Sequence, residues 1–197
     1  MERNYHLLPS RALDAGAGFR LPTQTQTSVD LESPAREVMT DLTRVSAATV
    51  RPQATVEGAN QFMMARGVRL LLVIDEHERV LGLISATDIL GERTMRVATA
   101  RGLRRDELTV ADIMTPADQV EVIALEDIDG AHVGHVVATL LHAGRQHALV
   151  VDAETDSGRL MVRGVLSLSQ VARQLGKPLQ LAEVARTFAE IEVALGR

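Results

Sequence analysis

Apolar and polar positions along this chain follow one order that is used twice. In the first run, Val56, Ala59 and Met63 recur at helical spacing, and the chain continues through Gly67 into RLLLVID and VLGLIS. Spacing of i, i+3 and i+7 predicts an amphipathic helix, and a short apolar run rich in β-branched residues predicts a buried strand. Because glycine tolerates positive φ, we expect the helix to end at Gly67 and two strands to follow.

The second run aligns with the first without a gap. Residues 54–75, ATVEGANQFMMARGVRLLLVID, match residues 131–152, AHVGHVVATLLHAGRQHALVVD, and GLIS further along matches GVLS. Self-similarity of this kind predicts a duplicated architecture. Each copy is predicted to form strand, helix, strand, strand and helix, with first strands at AATV (47–50) and VEVIA (120–124). The sequence therefore predicts an α+β fold made of two similar repeats.

The predicted boundaries divide the chain into five segments. They are an extended N-terminal tail (1–34), a first repeat (35–92), a linker helix (93–107), a second repeat (108–176) and a C-terminal amphipathic helix (177–197). The tail is rich in Thr, Gln, Ser and Pro, which favours an extended or mobile conformation. The C-terminal segment has an apolar stripe at helical spacing, so we expect it to pack on its own or a sister subunit, or to bind a target protein.

The composition is that of a folded chain. Of 197 residues, 46% are hydrophobic and 24% are charged, and the formal net charge is -5. This balance, with an aromatic content of only 2%, argues against a nucleic-acid-binding surface. The absence of cysteine excludes disulfides, thiolate zinc sites and a cysteine nucleophile. The start, MERNYHLLPSRALDAGAGF, has no long apolar run, so we expect no signal peptide or membrane span and a cytoplasmic protein.

The order and spacing of these pieces resemble a known family. The paired pattern of VMT, ATV, GVRLLLVID and GLISATDIL is similar to that of tandem cystathionine-β-synthase (CBS) domain pairs, or Bateman modules, over roughly residues 35 to 176. The resemblance implies that the two repeats pack sheet to sheet about a pseudo-twofold axis. It also implies two clefts between the repeats that commonly bind adenosine nucleotides, and association of two modules into a disc-shaped dimer.

The segment GLISATDIL is the candidate for the first nucleotide cleft. Asp88 stands where a strand turns into a helix, and its carboxylate is suited to accept hydrogen bonds from two ribose hydroxyls. Ser85, with Thr87 nearby, is expected to direct its hydroxyl at a phosphate near the positive end of the helix. The alternative is that Ser85 and Asp88 form only a capping box.

Three further residues complete this predicted site. In nucleotide-binding members of the family a basic residue often precedes the equivalent strand, so the resemblance implies that Arg69 reaches the phosphates. The alternative for Arg69 is an ordinary solvated side chain. Adenine would be held by aliphatic side chains such as Val50 and Leu83, because Phe62 is the only aromatic residue in either repeat and is expected in the core or an interface.

The second repeat carries GVLSLSQVA at the equivalent place and predicts a second cleft. The aligned residues are Ser167, Ser169 and Gln170. Gln146 aligns with the arginine of the first repeat, and the neighbouring His147 either approaches phosphate or is structural. Because the Gln170 amide lacks the charge of a carboxylate, we expect an asymmetric module whose second cleft is weaker, altered or empty.

Other candidate chemistry is weak. Two of the histidines in HVGHVVATLLH, His135 and His142, share a helical stripe but lie about 10 Å apart at 1.5 Å per residue, so we expect no metal site. The arginines at 93, 96, 101, 104 and 105 alternate with acidic residues and are expected on a solvated linker helix. No glycine-rich phosphate loop, catalytic triad or paired-carboxylate site is present, so we expect no enzyme.

These observations predict a stand-alone regulatory module rather than a catalyst. The resemblance implies that it binds AMP, ADP or ATP as a regulatory ligand, requires no cofactor, and signals energy state in trans to an unknown target protein as a homodimer. We expect no membrane or nucleic-acid partner. Two alternatives stay open at this point. One is a constitutive dimeric scaffold with degenerate nucleotide sites, and the other is a sensor of S-adenosylmethionine, NAD or a cyclic dinucleotide.

Overall fold

The computed structural model describes residues 29–154 and 158–176 of the chain. In these segments the strands are β1 (Met39–Asp41), β2 (Thr49–Val50), β3 (Leu70–Ile74), β4 (Val80–Ser85), β5 (Thr115–Pro116), β6 (Val122–Ala124), β7 (His147–Ala153) and β8 (Leu160–Ser167). The α-helices are α1 (Val56–Arg66), α2 (Ala86–Leu90), α3 (Glu92–Arg101), α4 (Val110–Ile113), α5 (Leu125–Asp129), α6 (Val133–His142) and α7 (Leu168–Gln174). The predicted α+β class is confirmed. The predicted C-terminal helix (177–197) lies outside the described residues.

The strands form two four-stranded sheets, and each sheet takes one strand from the other half of the chain. The first sheet has the order β2-β3-β4-β5 and the second has the order β1-β8-β7-β6. In the first, β5 pairs antiparallel with β4; in the second, β1 pairs antiparallel with β8. Strands β2 and β6 pair parallel with β3 and β7, as strand-helix-strand units require. The two halves are therefore interleaved.

The glycine shared by GLIS and GVLS makes room for the exchanged strands. A Cβ atom on Gly82 would lie 2.2 Å from the carbonyl oxygen of Thr115 in β5. A Cβ atom on Gly164 would lie 2.6 Å from the sulfur of Met39 in β1. Both glycines sit where the strand from the other half crosses, so their repetition in the sequence reflects close backbone approach.

Helix α1 follows the sequence pattern closely. The hydroxyl of Thr55 accepts a 3.1 Å hydrogen bond from the amide of Gly58 and caps the start of the helix. Gly67 ends the helix with φ of 63°, as predicted. The three predicted apolar positions, Val56, Ala59 and Met63, are 1 to 2% exposed. Helix, cap and buried face were thus all specified locally.

Three groups of apolar side chains hold the fold together. Helix α1 covers one face of the first sheet and packs against Leu71, Val73 and Ile84, while α6 covers the second sheet in the same way. Between the sheets lies a smaller cluster centred on Leu70, Leu72 and Leu149. The sheets therefore contact each other face to face, as the resemblance implies.

The last residues of the predicted tail are ordered against the second half. Val29 is 6% exposed and belongs to the core of that half. The carbonyl of Ser33 accepts a 2.8 Å hydrogen bond from the amide of Val133. The carbonyl of Leu31 accepts another, also 2.8 Å, from the amide of Gly134. The expectation of an extended or mobile segment is wrong for this part of the tail, because it satisfies the free amides at the start of α6.

Helix α3, in the predicted linker, is anchored to the first half rather than fully solvated. Thr94 is fully buried, and its hydroxyl donates hydrogen bonds of 2.7 and 2.9 Å to the carbonyls of Asp88 and Ile89. Ala98 is 6% exposed and joins the core of the first half. These contacts hold the start of α3 beside the end of α2. In the described segments, no helix has the length and apolarity needed to cross a bilayer.

Candidate functional site

Two neighbouring clefts open between the sheets. The larger, about 490 Å³, contains Gln170 and is called the Gln170 cleft below. The smaller, about 400 Å³, contains Asp88 and is called the Asp88 cleft. Leu70 and His147 line both of them. Both volumes lie in the range of small-molecule sites, roughly 300 to 1,000 Å³.

The Gln170 cleft is bordered by the β2–β3 side of the first sheet and the β1–β8 side of the second. Its polar and charged lining includes Thr40, Arg66, Arg69, Ser167, Ser169, Gln170 and Arg173. Leu42, Ala48, Leu72 and Val165 supply apolar wall. The cleft therefore combines apolar surface with three guanidinium groups.

The Asp88 cleft is bordered by the β4–β5 side of the first sheet and the β6–β7 side of the second. Its polar and charged lining includes Ser85, Thr87, Asp88, Thr115, Glu121, Arg145 and Gln146. Leu83, Val120 and Leu149 supply apolar wall. The two clefts are thus related by the repeat, but their charges differ.

The grouping of residues expected from the sequence is wrong at two positions. Arg69 lines the Gln170 cleft rather than the Asp88 cleft, and Gln146 does the reverse. The main chain of each residue does lie beside the strand-to-helix turn of its own repeat. The amide of Ala86 donates a 2.9 Å hydrogen bond to the carbonyl of Arg69, and the amide of Leu168 donates a 2.9 Å hydrogen bond to the carbonyl of Gln146. Each cleft nevertheless combines the turn of one half with the helix-to-strand connection of the other, since it forms where opposite sides of two sheets meet.

His147, at the start of β7, stands between the two clefts. Burial lowers its pKa to about 4, the charge of Arg69 adds to the decrease, and the charge of Asp88 opposes it. The imidazole is therefore neutral near pH 7. His147 lines the Gln170 cleft, as predicted, and it also lines the Asp88 cleft.

The two predicted adenine contacts have different outcomes. Leu83 lines the Asp88 cleft as expected. Val50 lines neither cleft, because its side chain packs against the core of the first half, and Ala48 takes the place beside the Gln170 cleft. Phe62 is not a core residue: it is 38% exposed, and the guanidinium carbon of Arg66 lies 5.9 Å from its ring centroid.

The Asp88 carboxylate is held by partners within the chain. One oxygen, Oδ2, accepts hydrogen bonds from the amide and hydroxyl of Ser85 at 2.8 and 2.6 Å, and the Ser85 hydroxyl accepts from the Asp88 amide at 3.2 Å. This is the capping box that the sequence left open as an alternative. The other oxygen, Oδ1, lies 3.4 Å from Nη1 of Arg93. Helix α2 has only five residues, so its dipole supplies less positive charge than the sequence suggested.

Arg93 was not identified as a site residue from the sequence. Besides Asp88 it contacts the exchanged strand, since it donates to the Thr115 hydroxyl at 3.2 Å and to the Met114 carbonyl at 2.9 Å. It thereby joins α3, α2 and β5 behind the Asp88 cleft. In the Gln170 cleft the corresponding link is direct, because the Thr40 hydroxyl donates to the Gln170 side-chain oxygen at 3.0 Å.

Two arginines of the Gln170 cleft were also missed. Arg66 is the last residue of α1, three positions before Arg69, and Arg173 lies three positions after Gln170 on α7. Spacing of i, i+3 on a helix places Gln170 and Arg173 on one face. The spacing could therefore have identified Arg173 from the sequence. Arg66 could not be identified in this way, because its position depends on where α1 ends relative to the second sheet.

The described segments contain no group of three or more metal-binding side chains. His132 and His135 stack with ring centroids 5.6 Å apart, and Nδ1 of His135 accepts a 3.0 Å hydrogen bond from the amide of His132. This contact closes the start of α6. His142 is exposed at the other end of the helix.

Comparison with known proteins gives one family match and several similar structures. Residues 28–94 match the family model of the CBS domain. An uncharacterized conserved protein from Pyrococcus horikoshii is similar, with 23% identity, coverage of 77% of this chain and 98% of that one, and a TM-score of 0.53. At this identity the likeness establishes the fold. No curated protein matches the chain.

Two other similar structures were solved with ligands. CBSX2 from Arabidopsis thaliana, in complex with AMP, shares 24% identity over 72% of this chain and 94% of that one, with a TM-score of 0.48. The CBS domain pair of protein MJ0100, in complex with 5′-methylthioadenosine and S-adenosyl-L-methionine, shares 20% identity over 75% of this chain and 97% of that one, with a TM-score of 0.49.

Proposed function

We propose that this chain, which is a tandem CBS-domain module, is a regulatory protein that binds an adenosine derivative between its two repeats. The observation that carries the proposal is the pair of ligand-sized clefts of about 490 and 400 Å³. Each has apolar strand residues on its walls and hydrogen-bonding side chains at one strand-to-helix turn. A mostly apolar cleft with a few convergent polar groups is the usual form of a small-molecule site.

The Asp88 cleft supports a specific arrangement of an adenosine. Leu83, Val120 and Leu149 would contact the adenine ring, and Asp88 would accept hydrogen bonds from the ribose hydroxyls. The carboxylate is 18% exposed on its side chain, so it faces the cleft while its capping bonds hold its orientation. Thr87 and Gln146 would provide further hydrogen bonds from opposite halves of the molecule.

A thermal-shift panel tests this function. The probes are AMP, ADP, ATP, adenosine, S-adenosylmethionine, 5′-methylthioadenosine, NAD and a cyclic dinucleotide. A compound that binds only the folded chain, present at 100 times its Kd, stabilises the chain by about 2.7 kcal/mol. We expect at least one adenosine compound to raise Tm, and no shift with any of them would contradict the proposal.

The signalling part of the proposal concerns assembly. We propose that the module acts as a homodimer in the cytoplasm and that ligand binding changes its interaction with a separate target protein. If AMP and ATP compete for the same cleft, the module reports energy state. Light scattering should then give twice the mass of the chain. A monomer at micromolar concentration with and without nucleotide would contradict the dimer.

One observation favours a different function, a constitutive dimeric scaffold with degenerate nucleotide sites. The Asp88 carboxylate is already engaged by Ser85 and Arg93, and Gln170 by Thr40. If these bonds are purely structural, the clefts bind no nucleotide and the dimer forms equally well without one. The thermal-shift panel separates the two functions.

Asp88→Ala is expected to weaken adenosine binding by roughly 1.5–3 kcal/mol, because the substitution removes a charged acceptor. It also removes a helix cap, which costs about 1 kcal/mol of stability. Asp112→Ala is the matched control, since Asp112 forms the same capping box with Thr109 and pairs with Arg101 outside both clefts. Calorimetry should show loss of affinity only for Asp88→Ala. Equal affinity in the two variants would show that Asp88 is only a cap.

A further inference from the structure

The two clefts differ in charge more than in shape. Among the described residues that line the Gln170 cleft, three are arginines and none is acidic: Arg66, Arg69 and Arg173. The Asp88 cleft is lined by two carboxylates and one arginine: Asp88, Glu121 and Arg145. Because the sequence repeat relates the clefts, this difference is a property of individual substitutions rather than of the fold.

Among the described residues, the arginines of the Gln170 cleft have no carboxylate partner. Within the described segments, no ion pair involves Arg66, Arg69 or Arg173. All three are exposed, and Arg66 lies over the ring of Phe62. A guanidinium group with free donors in an open cleft is suited to bind phosphate oxygens, often through two parallel hydrogen bonds.

The cations of the Asp88 cleft are already neutralised. Arg145 lies 2.9 Å from a carboxylate oxygen of Glu121, and Arg93, behind the cleft, lies 3.4 Å from Asp88. A phosphate entering here would meet two carboxylates and, among the described lining residues, no unpaired arginine. With both carboxylates paired, the cleft has no net positive charge to attract a phosphate, and its carboxylate oxygens favour a neutral or cationic group.

His147 separates the two environments. It lines both clefts, and the charges that act on it are Arg69 from the Gln170 side and Asp88 from the other. Because the imidazole is neutral near pH 7, it does not compensate either charge. The opposite charges therefore persist next to each other across one side chain.

We infer that the two clefts sort adenosine derivatives by charge, so that the Gln170 cleft binds a phosphorylated nucleotide and the Asp88 cleft binds an adenosine derivative whose 5′ group is neutral or cationic. The inference rests on the proposed function and assigns a ligand class to each cleft. It reverses, for phosphorylated ligands, the order of affinity that the sequence suggested. The module would then report two different metabolites at once.

Calorimetry on the full chain tests the Gln170 cleft with ATP. Arg69→Gln and Arg173→Gln are each expected to weaken ATP binding by about tenfold or more, since each removes a charged hydrogen bond. Arg96→Gln is the control, because Arg96 is exposed on α3 and lines neither cleft; its effect should stay below about twofold. ATP affinity should also fall as salt increases. Both cleft arginines are exposed, and an unchanged Tm confirms that the variants fold.

The same method tests the Asp88 cleft with adenosine and S-adenosylmethionine. Asp88→Asn should weaken both by about tenfold or more and leave ATP binding unchanged. Protein saturated with ATP should still bind adenosine.

The outcomes separate the two proposals. If none of the three probes binds, the proposed function itself is wrong. If ATP binds with an affinity that Arg69 and Arg173 do not affect, if adenosine displaces ATP, or if neither adenosine nor S-adenosylmethionine binds, the clefts are not sorted by charge, while the proposed function stands.

Discussion

Gly82→Ala is expected to lower the free energy of unfolding by about 3 kcal/mol, near the upper end of the usual cost of overpacking. The added Cβ would lie 2.2 Å from the carbonyl oxygen of Thr115 and 3.0 Å from Cα of Pro116. Both are backbone atoms of β5, so the clash cannot be relieved by rotating a side chain. The exchanged strand must move away, which breaks its pairing with β4.

Urea unfolding followed by far-ultraviolet circular dichroism measures this effect, with two other glycines for comparison. Gly130→Ala is the control, because its Cβ would meet nothing within 4 Å and its φ is -93°; we expect a change within about 0.5 kcal/mol. Gly164→Ala should fall between the two, since the flexible Met39 side chain is its nearest neighbour. If Gly82→Ala were as stable as Gly130→Ala, the strand exchange would be wrong.

His147 is expected to make the protein less stable as pH falls from 6.5 to 4. Burial and the charge of Arg69 lower its pKa in the folded chain to about 4, against the opposing charge of Asp88, whereas the unfolded value is 6.5. Between these values the unfolded chain binds a proton that the folded chain does not, so the free energy of unfolding rises with pH. The full effect is on the order of 3 kcal/mol, absent above pH 6.5 and complete below pH 4.

The measurement compares wild type with His147→Leu between pH 4 and 7.5. Leucine is the residue at the equivalent position of the first repeat, Leu70, so the cleft boundary tolerates its shape. The stability difference between the two proteins should shift in favour of the variant as pH falls. His142→Leu, on the exposed end of α6, should keep the pH dependence of wild type. If the curves of unfolding free energy against pH were parallel for wild type and His147→Leu, the folded chain would bind the imidazole proton as readily as the unfolded chain does, and the pKa of His147 would not be lowered.

Local features of the fold were predictable because they depend on neighbouring residues. The helix from Val56, its end at Gly67 and the buried strand after it follow from periodicity and from the backbone freedom of glycine. The capping box of Ser85 and Asp88 follows from a spacing of three residues. Alignment of the two repeats also identified the equivalent turns that contribute to each cleft.

Features that join distant parts of the chain were not predictable from the same patterns. The sequence places Arg69 in the same repeat as Asp88, yet the two residues line different clefts. Val50 belongs to a strand beside a cleft but faces the core. The order of residues along a strand does not show which other sheet will cover that strand. Arg93 reaches Asp88 only because α3 packs against the first half of the chain.

The sequence alone determined the two repeats, their α+β class, the helices with their caps, and the residues that stand at the strand-to-helix turns. Only the tertiary structure decided the exchange of β1 and β5, the pairing of each turn with the opposite half, and the resulting charge of each cleft. The physical reason is that secondary structure depends on contacts a few residues apart, whereas a cleft between two sheets collects side chains that meet only when the halves pack together.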